Sequence, residues 1–422
     1  MKIILLIIRK FLASAKDKSY ISKLSFFSYV LVGLGVAVPI LVLSVTNGFQ
    51  NVVEQRIVNY DFHLQVFFPE LTQYERIEKI PGVDSWGFYE DKCLIKSNYT
   101  SKVTQIRAFR KKDMHESDFF STYKLLAGGM YAGSGGIVLA ENLASNLRVG
   151  IGDDVELIVI DNSIGYNSFS QRKFRVDGIV SLGYAPFDVS ASFLLKSDAD
   201  ELFLLQPETI NKIGLHSLSR KYREHTSLWF ERLRGIYPGQ VISNTFDNKV
   251  FKDFAEEKKS LTVAMFVIML IAFIAIFITL NVVLADKTVD VGLLKVIGVT
   301  NQALMQTFLG QGVFIAFVGV IAGLFLGSLV VINLDLIIRV FEYLMNNLFY
   351  LTNLVGITDF PAYYRFEIMP QEVFYLSSLP YELLWRDFVI QGIGAFVFAI
   401  IASYSPAFKV LKADPAATLR NE

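Results

Sequence analysis

One cysteine, Cys93, is all this sequence holds, so an internal disulfide is excluded and no paired-cysteine zinc spacing exists. An excess of one charge is also lacking: 40 Lys and Arg balance 40 Asp and Glu. A chain without net charge has no overall attraction to polyanions, and nucleic acid is not an expected partner. The four histidines (His63, His115, His216, His225) are scattered and read as ordinary domain residues. No Gly-x-x-x-x-Gly-Lys-Ser/Thr phosphate loop occurs, so the chain does not bind ATP by that device. No Ser-His-Asp, His-Glu-x-x-His or paired-carboxylate pattern stands out. These absences point away from an enzyme, and no catalytic, cofactor-binding or metal-ligating residue is nominated.

Charge is missing altogether from four long stretches, 24–46, 261–285, 303–334 and 388–408. About 20 apolar residues suffice to cross a bilayer as a helix. Spans without ionisable side chains argue against an ion or proton pathway built from this chain alone. Hydrophobic residue types make up 53% of the chain and charged types 19%, too apolar for a soluble protein and too charged for an all-membrane one. The expected fold class is therefore an α-helical membrane protein with four transmembrane helices plus an α+β domain in water.

The expected order along the chain is as follows. Residues 1–23 hold a short apolar run followed mostly by Lys and Arg, which reads as a cytoplasmic or interfacial helix rather than a cleaved signal. The first span is 24–46, with Gly33, Gly35 and Pro39 tolerable if neighbouring helices cover the freed backbone groups. The positive charge before it places the N-terminus in the cytoplasm. Residues 47–258 form the far-side domain, with strand-like runs at 62–68, 136–139, 155–160, 174–180 and 191–195 and helical patterns at 71–80, 197–205 and 218–236. A helix over 248–259 leads into the second span, 261–285. Residues 286–302 return through the cytoplasm. The third span lies within 303–334, 335–387 is a second far-side loop, 388–408 is the fourth span, and 409–422 is a cytoplasmic tail.

The connector after the second span carries the clearest functional pattern. Val289, Leu293, Val296 and Ile297 fall on one face of a short helix, with Asp286 as N-cap and Gly298 as stop. Such a helix beneath a span suits a membrane subunit driven from one side. In the third span Gly319, Gly323 and Gly327 stand four apart, the spacing that lets helix backbones approach in lipid. Leu34, Val38, Leu41 and Val42 line one face of the first span. Phe266, Leu270, Phe273 and Phe277 line one face of the second. These stripes are either lipid-facing and packing surface or the walls of an apolar cavity.

Five segments resemble those of a known family, in the same order and spacing: LSVTNGFQ at 43–50, GIVLAENLASNLRVGIGDDVEL at 136–157, DVGLLKVIG at 290–298, the stretch from 374 into 388, and SPAFKVLKADPAATLR at 405–420. Together they resemble the LolC/LolE membrane subunits of the lipoprotein-releasing ABC transporter, within the FtsX/MacB class of permeases. The resemblance implies a MacB-like periplasmic domain and a place in the bacterial inner membrane. It implies two LolD-like ATPase subunits that carry ATP and Mg, a second homologous or identical permease subunit, lipoprotein substrates, a LolA-like periplasmic carrier, and contact with membrane lipid. By resemblance, the segment holding Asp290, Val289, Leu293, Lys295, Val296, Ile297 and Gly298 couples to the ATPase, and the stripes on the first two spans form the lipoprotein cavity. Two departures stand out: Asp290 occupies a position usually held by Glu, and 161–172 lacks the proline of a carrier-gripping hook.

The physics of lipid extraction agrees with such a cavity. Each buried CH₂ is worth about 0.8 kcal/mol, so wetting several acyl chains would cost on the order of tens of kcal/mol. Two other readings remain open on the residues. One is a mechanotransmitting permease that drives an efflux duct or a wall hydrolase. The other is a receptor or scaffold, which would need no cytoplasmic docking helix.

Overall fold

The computed structural model describes residues 19–73, 82–116, 120–130, 133–161, 168–217, 222–354, 366–368 and 379–412. The chain divides into two units, one from Met1–Gln50 with Ala255–Glu422 and the other Asn51–Phe254. Among the described residues, four helices are long and apolar enough to cross a membrane. They are α1 (Ser19–Asp61), α7 (Lys249–Asp286), α9 (Asn301–Ile332) and α11 (Trp385–Lys412). α1, α7 and α11 run past their expected spans at both ends, where polar turns continue the helices, while α9 starts before 303 and ends short of 334. The N-terminal interfacial segment falls outside the described residues up to position 18, as do 369–378 and the tail from 413.

In the first unit the four helices share one core. Val32, Val36 and Ile40 of α1 meet Ile276 and Leu280 of α7, Ile315, Ala316 and Val320 of α9, and Ala399 and Ala402 of α11. Small residues set the spacing. A Cβ at Gly35 would stand 2.9 Å from the Ala272 Cβ, and one at Gly312 would overlap the Ser403 hydroxyl. Ser28 and Thr279 pair their hydroxyls inside this bundle, which satisfies polar groups that lipid would leave bare.

The stretch 335–387, expected as loop, holds α10 (Leu334–Leu354). Its charged residues gather on one side of this helix. A second correction concerns Asp286, which ends α7. The connector helix α8 (Thr288–Val296) has Lys287 at its N-cap, without a side-chain cap bond. With no intervening loop, an Asx cap has no room to form, and Lys287 instead pairs with Asp290 at 3.1 Å.

The second unit is a ten-stranded mixed sheet in the order β10-β1-β9-β2-β3-β8-β5-β7-β4, with β6 against β2 and β7. Its strands are β1 (Leu64–Gln73), β2 (Val83–Lys96), β3 (Ser101–Phe109), β4 (Lys124–Gly128), β5 (Gly136–Ala140), β6 (Asp154–Asp161), β7 (Ser168–Ser181), β8 (Ala191–Leu195), β9 (Thr209–Ser217) and β10 (Val241–Asn244). Short helices interrupt it: α2 (Lys111–Glu116), α3 (Glu141–Leu147), α4 (Ala185–Asp188), α5 (Lys196–Leu202) and α6 (Tyr222–Ile236). The two 14-residue strands organise it. β2 pairs with β9 in its first half and with β3 and β6 in its second, while β7 pairs with β6, β5 and β4.

Cys93 and Ile95 alternate inward from β2 onto Leu139, Leu157, Val176 and Leu194 in one core. Phe88, Phe109, Phe120 and Phe193 fill another. Burial pushes the Cys93 thiol up to about 12, so it acts as a small apolar residue.

The strand expected from Phe62 starts instead at Leu64. Phe62 adopts a left-handed φ of 61° that turns the chain out of α1, and its ring stacks on Phe88 at 5.5 Å. Gly214 makes this possible, since a Cβ there would lie 2.3 Å from that ring. The helix expected at 71–80 is also corrected in its described part, because Leu71–Gln73 closes β1 in register with β9. β2, β3, β4, β9 and β10 were not foreseen. β2 and β3 mix charged residues into both faces, and β4 is exposed throughout, so their alternation is weak.

Candidate functional site

Three places in the first unit bear on function. The first is α8. Val291 and Gly292 are buried, and Val291 and Leu294 pack with Val283, Leu284, Leu304, Phe308 and Ala407. The residues expected on the working face point the other way. Val289, Leu293, Val296 and Ile297 are 36%, 50%, 65% and 70% exposed. The short helix thus uses one apolar side to hold the bundle and offers a second to whatever lies beneath. Gly298 ends it with φ of 94°, a conformation that disfavours any side chain. Asp290 and Lys295 sit on its exposed and half-exposed rim.

The second place is the pair of apolar stripes. Leu34 is exposed, whereas Val38, Leu41 and Val42 are half-buried. On α7 the stripe divides. Phe266 and Leu270 remain exposed, while Phe273 and Phe277 pack against the bundle core. Phe266 and Phe273 both meet the Phe398 ring edge-on, at 5.4 and 6.1 Å. The crevice between α1, α7 and α11 here has a volume of about 10 Å³. That is room for one water, not for an acyl chain.

The glycine row of α9 faces α1. A Cβ on Gly319 would meet Val32 at 2.6 Å, one on Gly323 the Gly33 carbonyl oxygen at 2.5 Å, and one on Gly327 the Ala37 Cα at 3.0 Å.

The third place was not foreseen as a site, although both of its segments had been singled out. Asn47 donates from its side-chain amide to Asp387 at 2.8 Å, and Lys258 donates to the Asn47 amide oxygen at 2.9 Å. The Glu382 amide donates to the Ser44 carbonyl at 2.8 Å. A Cβ at Gly48 would lie 2.4 Å from the Tyr381 Cα. The segment LSVTNGFQ is therefore seated against 380–387, and the pairing explains why each carries its polar and small residues. The available signal was their joint oddity: an Asn-Gly pair and an Asp, each at the end of an apolar run.

In the second unit, Arg107 is 1% exposed and donates to Glu90, to Asp61 at 2.8 Å and to the Tyr60 carbonyl, with its guanidinium 3.5 Å from the Tyr60 ring centroid. Lys212 pairs with Glu90 from β9. Burial alone would raise the Glu90 carboxyl, but Arg107 and Lys212 overcome it and hold the group below its ordinary value. Among the described residues no cluster of His, Cys, Asp or Glu could hold a metal ion.

The comparisons with known proteins agree with this division. Residues 262–415 match the FtsX-like permease C-terminal family, and residues 25–220 match the MacB-like periplasmic core domain. The chain aligns with the lipoprotein-releasing system transmembrane protein LolE of Haemophilus influenzae, 23% identical over 93% of each chain. It also aligns with LolC of Xylella fastidiosa, 22% identical over 98% of this chain and 97% of the relative. LolC of Neisseria meningitidis is 22% identical over 98% of both.

This chain resembles the FtsX/MacB-like permeases in its two matched regions, and LolC and LolE proteins over nearly its whole length.

Among solved structures, the periplasmic region of MacB from Actinobacillus actinomycetemcomitans covers 47% of this chain at 14% identity and a TM-score of 0.31, too low to compare folds. In the terms of the permease class, α8 lies inside the FtsX-like region. The Asn47–Asp387 contact joins the start of the MacB-like match to the end of the FtsX-like one.

Proposed function

We propose that this chain is the membrane subunit of an ABC transporter that extracts lipoproteins from the inner membrane and passes them to a periplasmic carrier. ATP is hydrolysed by a separate pair of subunits, and the chain itself is non-catalytic. The observation that carries the reading is α8, a connector helix whose apolar face is turned away from its own bundle, in a chain that aligns over 93–98% of its length with LolC and LolE proteins. A permease needs such a face where a motor docks. Asp290 and Lys295 supply charge at its rim, and Gly298 fixes the turn into α9.

The substrate path follows from area and volume. Among the described residues, the crevice between α1, α7 and α11 has room for about one water. The acyl chains are therefore received on the exposed stripes of two permease copies, facing each other, with Leu34, Phe266 and Leu270 in the walls. Both termini lie in the cytoplasm, and the Asn51–Phe254 unit stands in the periplasm where the carrier collects its cargo.

Depletion of the protein in its host, followed by separation of inner and outer membranes, tests the proposal. Outer-membrane lipoproteins should accumulate in the inner membrane. An unchanged distribution, with efflux or wall cleavage lost instead, would replace it with the mechanotransmitting reading.

A further inference from the structure

α10 follows α9 after a single residue, Asn333, and none of its 21 residues is buried. Around this helix Asp335, Arg339, Glu342, Asn346 and Asn353 fall within one narrow arc, about 60° wide at 100° per residue. Its own chain meets that arc at Asp335, Glu342 and Asn346, while Arg339 is exposed. Asp335 accepts from the Leu379 amide at 3.1 Å and Glu342 from the Ile368 amide at 2.8 Å. Asn346 accepts from the Phe366 amide at 2.7 Å and donates to the Phe366 carbonyl at 3.1 Å. The opposite side is open and, apart from Asn347, apolar: Leu336, Ile337, Val340, Leu344, Leu348 and Leu351 are 43% to 61% exposed. A surface helix in water covers its apolar side and shows its polar side. Here the chain does the reverse.

A helix of this length could cross a bilayer, but a stripe of three charged and two amide side chains along one side opposes that, and it is not among the helices apolar enough to span. We infer that α10 lies flat in the lipid interface at the end of the third span, its apolar side in the acyl region and its polar side against Phe366, Ile368 and Leu379. Continuity supports lipid as the occupant. The exposed face of α9 runs through Phe325, Leu326, Leu329 and Ile332 to the residue before the turn, so α10 begins at the membrane surface. Tyr343 and Tyr350, both 68% exposed, sit where the apolar arc meets the polar one, the place amphipathic rings take at a headgroup boundary. Arg339 faces two acidic residues on the helix, so attachment rests on apolar burial and not on anionic lipid. The inference requires only that α9 is a membrane span.

The test is a nitroxide scan of the full chain in phosphatidylcholine vesicles, with Cys93 left in place because it is buried. Labels on L344C and L351C should collide with oxygen several-fold more often, relative to a water-soluble nickel chelate, than a label on R339C. Adding phosphatidylglycerol should leave that ratio unchanged. Equal nickel access at L344C and R339C would overturn the inference. So would poor access to both reagents at L344C, which reports a protein cover, or spin–spin broadening lost on dilution with unlabelled chain, which reports a second copy. A label on L326C is the independent control. If nickel reaches it, the span assignment has failed, not the inference about α10.

Discussion

Asn47 and Asp387 are 340 positions apart and share a 2.8 Å hydrogen bond, with Lys258 donating to the same Asn47 amide. Asp387 is 6% exposed. An amide can donate to the carboxylate and accept from the ammonium at once. Asn47→Ala removes a hydrogen bond from each charged group, leaving Asp387 its 3.9 Å pairing with Arg386, and should destabilise the bundle by about 2 kcal/mol. The thermal midpoint of the detergent-purified chain reads this. A drop no larger than that of an exposed substitution would show the bridge to be incidental.

Leu293→Asp tests the outward face of α8. Leu293 is half exposed, so the variant should fold and insert normally, while its new charge is buried without a partner once a motor docks, a cost of several kcal/mol. Loss of ATPase co-purification with a normal amount of protein in the membrane is expected. Val291→Asp, on the buried side, should instead reduce the amount of folded protein. Full transport by the Leu293 variant would sink the docking assignment.

Gly323→Ala places a Cβ 2.5 Å from the Gly33 carbonyl oxygen and 2.9 Å from the Val36 Cβ, both on α1. The helices must part, at a cost of roughly 1–3 kcal/mol. Gly392→Ala on α11 is the matched control, since its nearest neighbour would be 3.9 Å away. The two midpoints should separate clearly, and equal midpoints would mean that α1 and α9 are not held by close backbone approach.

Arg107→Met removes the guanidinium from between Glu90 and Asp61. An uncompensated buried carboxylate costs about 3–5 kcal/mol, though Lys212 retains part of the pairing. Limited proteolysis should cut within 51–254 faster than in the unsubstituted chain. Adding Glu90→Gln should recover part of the loss, because the charge needing a partner is gone. No recovery would mean that Arg107 acts through packing on Tyr60 alone.

His63 gives a pH dependence with a definite sign. Burial, then the nearby His216, lowers its ionisation from an ordinary value near 6.5 to about 3. Unfolded, the ring binds a proton below about 6.5, so between those values the unfolded chain holds more protons and stability falls as pH falls. The contribution is complete above about pH 7, and at pH 5.5 the loss from this one ring is about 1 kcal/mol. Thermal midpoints at the two pH values, with His63→Phe for comparison, check it. The variant should be less acid-sensitive, and equal acid sensitivity would place the effect elsewhere.

The membrane helices were legible because charge-free length is a property of the chain alone. The same holds for the turn at Gly298 and for the strands at 136–139 and 191–195, where apolar runs end in clear turn residues. The far-side domain was read only in part. β2 changes partners halfway along, so neither half shows a steady alternation, and Phe62 turns at a left-handed residue that no local pattern marks. α10 was missed, since its charges gather on one side only when laid around a helix.

The sequence by itself determined which segments can leave water, and which small residues permit close approach. Desolvation and backbone size are written into each residue. Only the tertiary structure decided which face each helix presents: α8 turns Leu293 outward because Val291 is taken by the bundle, Phe273 and Phe277 turn inward, and Asn47 finds Asp387. Those choices depend on contacts between residues hundreds of positions apart, where periodicity carries no information.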